Sequence, residues 1–391
     1  MKIAYIYLGA GAAESSVQRK IKAQINALNA QGCSTTGIFF TAEATVPAEE
    51  NQIQWQGVMV PSKGWFRSLK ERKAMTRALY LWAAENAAIY DKIYVRNYRP
   101  TRWWYLFIRK HKDKVIVEHQ TKEIDELMAL WNANPFGWRP SHFLSWLEHN
   151  VIPCLQEKIY GSLANGTVKK IVAVTGEIAD YETKRAFPAK PVAFVIGNGI
   201  QTEEFPLASC PAFNGTELHL LMLIGGTTET DWHGVDLILD SIEQYKGDCS
   251  IKLWVAGSLS EQMRNHPNIK YLGICDQKQL NVICNNIHLA LGSFALQRKG
   301  LFEASTLKVR EYMARGIPAV IGHTDADLSE FVDNEYVLQQ EAGKKPSMKA
   351  IINFAHQCSN KASMGEEIRR KCFEKLDYSV KARVLIQVFS A

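Results

Sequence analysis

Short apolar runs rich in Val, Ile, Leu, Tyr and Phe alternate with longer amphipathic runs along most of the chain. Parallel α/β layers produce that rhythm, because each short strand returns through a helix before the next strand can pair beside it. Strands are expected at KIAYIYL, TTGIFF, GVMV, KIYVRN, KVIVEH, KIVAV and VAFVIG. After the loop-like ASCPAFNGTE (208–217) the alternation restarts with LHLLMLIGG, IKLWVAG, IKYLGI, IHLALGS and IPAVIG, separated by helical stretches such as GVDLILDSIEQY. The reading is α/β, with two Rossmann-like, doubly wound parallel-sheet domains facing across a cleft, 1–205 and 206–375. CFEKLDYSVKARVLIQVFSA closes the chain as one amphipathic helix, its last part (376–391) expected to pack back on the first domain.

A length of 391 residues suits two such domains. No apolar run reaches the ~18 residues of a spanning helix, and MKIAYIYLGA reads as a first strand rather than a signal peptide. The eight cysteines are scattered, without CxxC or metal spacing, which suits reduced thiols and a cytoplasmic protein. The net charge of +6 is uneven: residues 1–120 hold 18 Lys and Arg against 9 Asp and Glu, and the remainder is slightly acidic. The first domain is therefore expected to face something anionic, whether a phosphorylated small molecule, nucleic acid or an acidic membrane surface. KGWFRSLKERKAMTRALYLWAAE and RNYRPTRWWYLFIRKHKDK interleave aromatic and basic residues, as a membrane-surface site does. The competing reading puts Trp103, Trp104, Phe107 and Ile108 in the core of an amphipathic helix. Nucleic acid is not expected, since the basic residues belong to no recognisable reading module.

The most informative stretch is GLFEASTLKVREYMARGIP (300–318), in which Glu303 and Glu311 stand eight positions apart around a short helix. Ser305 or Thr306 can cap that helix, and Gly316 can end it in the left-handed conformation. Its first-turn amides make an anion site. The two carboxylates, roughly 12 Å apart along the axis, are suited to accept hydroxyl hydrogen bonds from a sugar and a ribose on either side of a diphosphate.

In these residues the chain resembles the retaining glycosyltransferases of GT-B fold, family 4 type, whose signature is Glu-x7-Glu in the second domain. VIGNGIQTEEFP is similar to the segment leading into that domain, and LIGG with WHGVDLILDSI to its phosphate loop and first helix. The resemblance implies that Glu303 holds the transferred sugar and Glu311 the ribose, while the amides of Ala304, Ser305, Thr306 and Leu307 line sugar and diphosphate. It implies further that Gly9, Gly11 and Ala12 form a glycine-rich loop near the phosphates, with Gly225 and Gly226 as its counterpart, and that His119 reaches the donor sugar.

One departure matters chemically. The family's usual Gly-Arg and Lys-Gly are replaced by GGTTETDWHG, with His233 at the lysine position. A leaving diphosphate needs positive charge, so another cation must serve. Arg298 and Lys299 are the expected source, with Lys308 inside the helix. No metal site is expected, TDADL (324–328) reading as a loop and helix cap, and no cofactor beyond the nucleotide-sugar donor. The expected partners are that donor and a saccharide or lipid-linked acceptor, in polysaccharide or glycolipid assembly. The alternatives are a nucleotide-sugar epimerase, which would need acid and base residues flanking the sugar, and a non-catalytic sugar-binding protein, for which an exported chain is the expectation.

Overall fold

The computed structural model describes residues 1–11, 14–43, 52–60, 65–133, 140–225, 231–361 and 363–391. The chain forms two compact units, Met1–Gly197 with Lys381–Ala391, and Asn198–Val380. The break thus falls at 197/198, ahead of the 205/206 position read from the linker. The closing segment from Lys381 counts with the first unit.

The first unit holds β1 (Lys2–Leu8), β2 (Ser34–Thr41), β3 (Ile53–Gly57), β4 (Lys92–Arg96), β5 (Val115–His119), β6 (Lys170–Ala173) and β7 (Val192–Val195). They pair in the order β3-β2-β1-β4-β5-β6-β7, every pair parallel. Alternate residues of β1 serve opposite faces. Ala4, Ile6 and Leu8 pack with Met75 and Leu79 of the helix Arg67–Asn86 and with Trp104 and Phe107 of the helix Arg102–Lys110. Ile3 and Tyr5 pack on the other side with Ile21 and Ile25 of the helix Ser16–Ala30 and with Ala382, Leu385 and Phe389 of the helix Tyr378–Ser390.

The second unit holds β8 (Glu217–Ile224), β9 (Ser250–Gly257), β10 (Ile269–Gly273), β11 (Leu289–Leu291), β12 (Ala319–Ile321) and β13 (Val337–Gln339). Their order is β10-β9-β8-β11-β12-β13, again parallel throughout. Both sheets are wound outward in two directions from a switch point, at β1/β4 and at β8/β11, where open parallel sheets place ligands.

Three local readings change, and one left open is decided. The third strand is Ile53–Gly57, not GVMV: its register with β2 ends at Thr41↔Gly57, and Met59 beyond it is almost fully exposed. The short β13 has no counterpart in the sequence reading. The closing segment is two helices, Met364–Lys375 and Tyr378–Ser390, because Asp377 turns the chain by accepting the N–H groups of Ser379 and Thr202. The aromatic residues of the helix Arg102–Lys110 are largely core: Trp104, Phe107 and Ile108 are buried, Trp103 partly so, and only the basic side is exposed. Among the described residues no helix is long and apolar enough to cross a membrane. All eight cysteines are free thiols.

Candidate functional site

In the second unit the site is built around the helix Leu307–Ala314. Thr306 is its N-cap in extended conformation but gives no capping hydrogen bond, and its buried Oγ1 has no partner among the described residues. Ser305 does not cap either. Its hydroxyl accepts the Asn198 N–H at 2.7 Å, and its carbonyl accepts the Asn198 side-chain amide. Asn198 in turn takes Arg310 Nε on its carbonyl at 3.0 Å, and the fully buried Arg310 is clamped by Asp325 and Asp327. The TDADL acids therefore do serve a cap, Asp325 accepting the Asp327 N–H, and they anchor the helix through Arg310. Gly316 follows the helix at φ +72°.

Glu303 is fixed by its backbone: it forms a parallel bridge with Thr324, flanked by hydrogen bonds from Ala304 N–H to the Thr324 carbonyl and from Thr324 N–H to the Phe302 carbonyl. The Ala304 amide is thus already engaged, leaving the amides from Ser305 onward as the donors of the helix start. Glu311 lies in the second turn, where one carboxylate oxygen accepts from Arg315 at 3.1 and 3.2 Å.

Gly234, at φ +75°, lets the turn Asp231–His233 close against Phe294 and Ala295, where an added Cβ would stand 3.0 Å from the Phe294 Cβ. That contact sets His233 beside Ser293, just past β11, and beside Lys308, whose Nζ is 3.0 Å from His233 Nδ1. Burial, with the Lys308 and Lys299 charges, pushes the His233 ring down to about 2. The imidazole is therefore neutral, and its Nδ1 is the acceptor facing Lys308. Burial, then the Lys299 charge, brings Lys308 down to about 7. Among the described residues Lys308 has no carboxylate partner.

The two expected cations stand differently. Arg298 is held in a two-pronged pair with Asp236, at 2.6 and 3.0 Å, and also binds the Asp231 carbonyl. Its charge is largely answered. Lys299 lies over the Trp232 ring at 4.9 Å, near enough to Lys308 to lower it. Gly225 follows β8, with no described residue where a side chain would be, while Ala12 and Gly226 lie outside the described residues.

In the first unit, Gly9 turns at φ +83° and, with Ala10, donates to the Phe40 carbonyl; the Gly11 carbonyl accepts from Gln18. His119 ends β5 fully buried. Its Nδ1 lies 3.0 Å from Glu123 and 3.5 Å from Glu182, while Arg185 joins Glu182 to Glu157 and Asn165 also donates to Glu182. Burial disfavours the charged ring, but Glu182 and Glu123 outweigh it and raise His119 to about 9. Burial likewise raises Glu157 to about 7 and Glu182 to about 8, whereas Glu123, though also buried, is held well below the usual range by His119. One nitrogen and two carboxylate oxygens of His119, Glu123 and Glu182 lie within 4.8 Å of one another, a spacing a metal could use. Arg185 occupies the Glu182 oxygen and supplies the positive charge instead. Asn198, Arg310, Glu123, Glu182 and Arg185 were missed by sequence reasoning; only Asn198, in an Asn-Gly step, carried a local signal.

No protein-family model and no curated protein matches the chain. Solved structures do, over the whole length. Sucrose-phosphate synthase from Thermosynechococcus elongatus matches 100% of this chain with 98% of its own, at 13% identity and a TM-score of 0.68. HepE from Anabaena in complex with UDP matches 100% of both chains at 12% identity and a TM-score of 0.59. WaaG, a glycosyltransferase involved in lipopolysaccharide biosynthesis, gives the same coverage, identity and TM-score. The chain has the GT-B fold. Several of its structural neighbours, WaaG among them, are glycosyltransferases, and HepE has also been solved with UDP-glucose.

Proposed function

We propose that the chain is a retaining glycosyltransferase of family 4 type, moving a sugar from a nucleotide-sugar donor to a saccharide or lipid-linked acceptor in polysaccharide or glycolipid assembly. One observation carries the reading: a helix start without a side-chain cap, with Glu303 just before it, bears a lysine that no carboxylate among the described residues neutralises. A diphosphate supplies the missing negative charge and accepts the open amides.

In this reading the amides from Ser305 to Leu307 hold the diphosphate, Glu303 takes hydroxyls of the transferred sugar and Glu311 uses its remaining acceptor capacity on the ribose. Lys308, backed by Lys299, stabilises the leaving phosphate, the role that the sequence had assigned to Arg298 and Lys299. His233 holds Lys308 in place as a neutral acceptor. The bond from the anomeric carbon to the phosphate oxygen breaks, the acceptor oxygen bonds on the same face, and the acceptor proton passes to the leaving phosphate. No resident metal takes part, and the family resemblance assigns His119 to the donor sugar. The reaction is assigned to the cytoplasm.

Because HepE binds UDP and UDP-glucose, uridine nucleotides are the first to try. Uridine, guanosine, adenosine and thymidine diphosphates are titrated in thermal unfolding, and at least one is expected to raise Tm in a concentration-dependent way. No shift with any of the four removes the donor site.

A further inference from the structure

The two sheets end in four edge strands, β3 and β7 in one and β10 and β13 in the other. Three of them turn polar side chains to solvent: Gln54 on β3, Lys270 on β10 and Gln339 on β13. On β7 the exposed side chains are Val192 and Val195, at 59% and 50%. An edge strand offers unpaired N–H and C=O groups to any strand that comes alongside, and polar or charged side chains are the usual guard against it. β7 lacks that guard.

The apolar edge extends beyond the strand itself. Gly166 bridges Pro188 in the same parallel register that pairs Lys170 with Val192, so residues 188–195 run alongside 166–173. Phe187, at the head of this segment, is 64% exposed and donates its N–H to the Ser162 carbonyl at 3.0 Å. Ile159 and Leu155, one and two turns before Ser162 on its helical stretch, are also more than half exposed. A grouping of large apolar side chains on one flank marks an association surface. The neighbouring cations are answered within the chain: Lys169 by Asp113 at 2.7 Å, and Lys190 by the carbonyls of Lys184 and Ala186 at 2.6 and 2.9 Å. The flank therefore suits an apolar strand rather than an acidic one.

β7 is such a strand. Val192 and Ile196 donate their N–H groups to the carbonyls of Lys169 and Ala173, so alternation turns the N–H and C=O of Ala193 and Val195 away from β6. Pro191, the preceding member of that outward set, has no N–H, which confines pairing to 193–195. About a two-fold axis through Phe194, Ala193 of one copy stands opposite Val195 of the other, antiparallel. Each such pair exchanges both its N–H···O=C bonds, so every outward group from 193 to 195 is satisfied.

We propose that the open edge of β7 is a homodimer interface, at which the first-unit sheets of two copies of this chain join as one continuous sheet.

The test is sedimentation velocity on the full chain between about 1 and 100 μM, native and as Val192→Lys/Val195→Lys. The native chain is expected to pass from one chain mass to two across that range, and the variant to need about tenfold or more protein for the same dimer fraction. Both replaced side chains are half exposed or more, so the variant's Tm is expected to match the native value. Amide hydrogen exchange on the native chain gives a second reading that does not depend on the variant. At the higher concentration the Ala193 and Val195 amides should exchange about tenfold or more slowly, while those of Ile53–Gly57 keep their rate. A single chain mass throughout overturns the proposal, as does a folded variant that dimerises like the native chain. So does a dimer in which the Ala193 and Val195 amides exchange as fast as in the monomer, since its contact would lie elsewhere.

Discussion

Each unit places a lysine near the start of a helix, and the two are treated in opposite ways. In the first unit the helix Ser16–Ala30 is sealed by a capping box between Ser15 and Gln18, and buried Lys20 pairs with Glu118 at 3.0 Å. Burial lowers Lys20 to about 8 even with that carboxylate opposite. In the second unit Thr306 gives the helix Leu307–Ala314 no side-chain cap, and among the described residues Lys308 meets a neutral imidazole and no carboxylate. The first arrangement closes its charges within the fold. Among the described residues the second leaves donors and positive charge without a carboxylate, an arrangement whose cost in the free protein the proposed diphosphate would offset. The same contrast separates Lys308 from the His119 cluster, where two cations and three carboxylates balance once a single carboxyl is protonated.

Replacing the acid at the open end has the largest expected effect. Glu303→Ala should cut sugar transfer by roughly a hundredfold or more while leaving Tm unchanged; unaltered turnover would take Glu303 out of the site. Breaking the closed cluster should act on folding instead. Arg185→Met leaves buried carboxylates without their cation and should lower the unfolding free energy by about 3–5 kcal/mol, read from urea titration at neutral pH. A loss within the noise would mean that the cluster is not the closed network described above.

Lys308→Met sharpens the contrast, because the open lysine should behave the other way. Nucleoside diphosphate affinity by calorimetry should fall about 10- to 100-fold, from the loss of one charge-assisted hydrogen bond, while the ligand-free protein is no less stable than the native chain. A destabilised variant with intact binding would contradict the assignment.

The smallest effect is one of pH. Lys308 is held near 7 in the free protein and binds a diphosphate only when charged, so affinity should fall from pH 7 to 8 by up to about tenfold, with proton uptake on binding. His119, raised to about 9, has the usual sign for a paired histidine: its stabilising contribution is full below about 6.5 and is lost as pH rises through 9. Urea titrations across that range should show the loss in the native chain and a flatter profile in Glu123→Gln.

Much of the fold could be read from residue order. The strand runs, the second start after residue 208 and the helix Val235–Gln244 stand in the pattern because a buried parallel strand needs a continuous apolar run whatever its neighbours. β13 escaped because three residues carry no period, and the break at Asp377 escaped because both flanking helices are amphipathic. At the site, Glu303 and Glu311 were visible by spacing. The choice among nearby cations was not: Arg298, Lys299 and Lys308 read alike in a string, and it is Asp236, 62 positions from Arg298, that sets Arg298 apart.

Sequence alone thus determined the parallel α/β layers, the two-domain plan and the candidate helix start, since these follow from local periodicity, propensity and capping residues. Tertiary structure decided which charges are spent. Arg298 is answered by Asp236, Lys20 by Glu118 and His119 by Glu123 and Glu182, whereas among the described residues Lys308 meets a neutral histidine and no carboxylate. The reason is physical: the state of a charge depends on burial and on partners a few ångströms away in space, and folding draws those partners from distant parts of the chain.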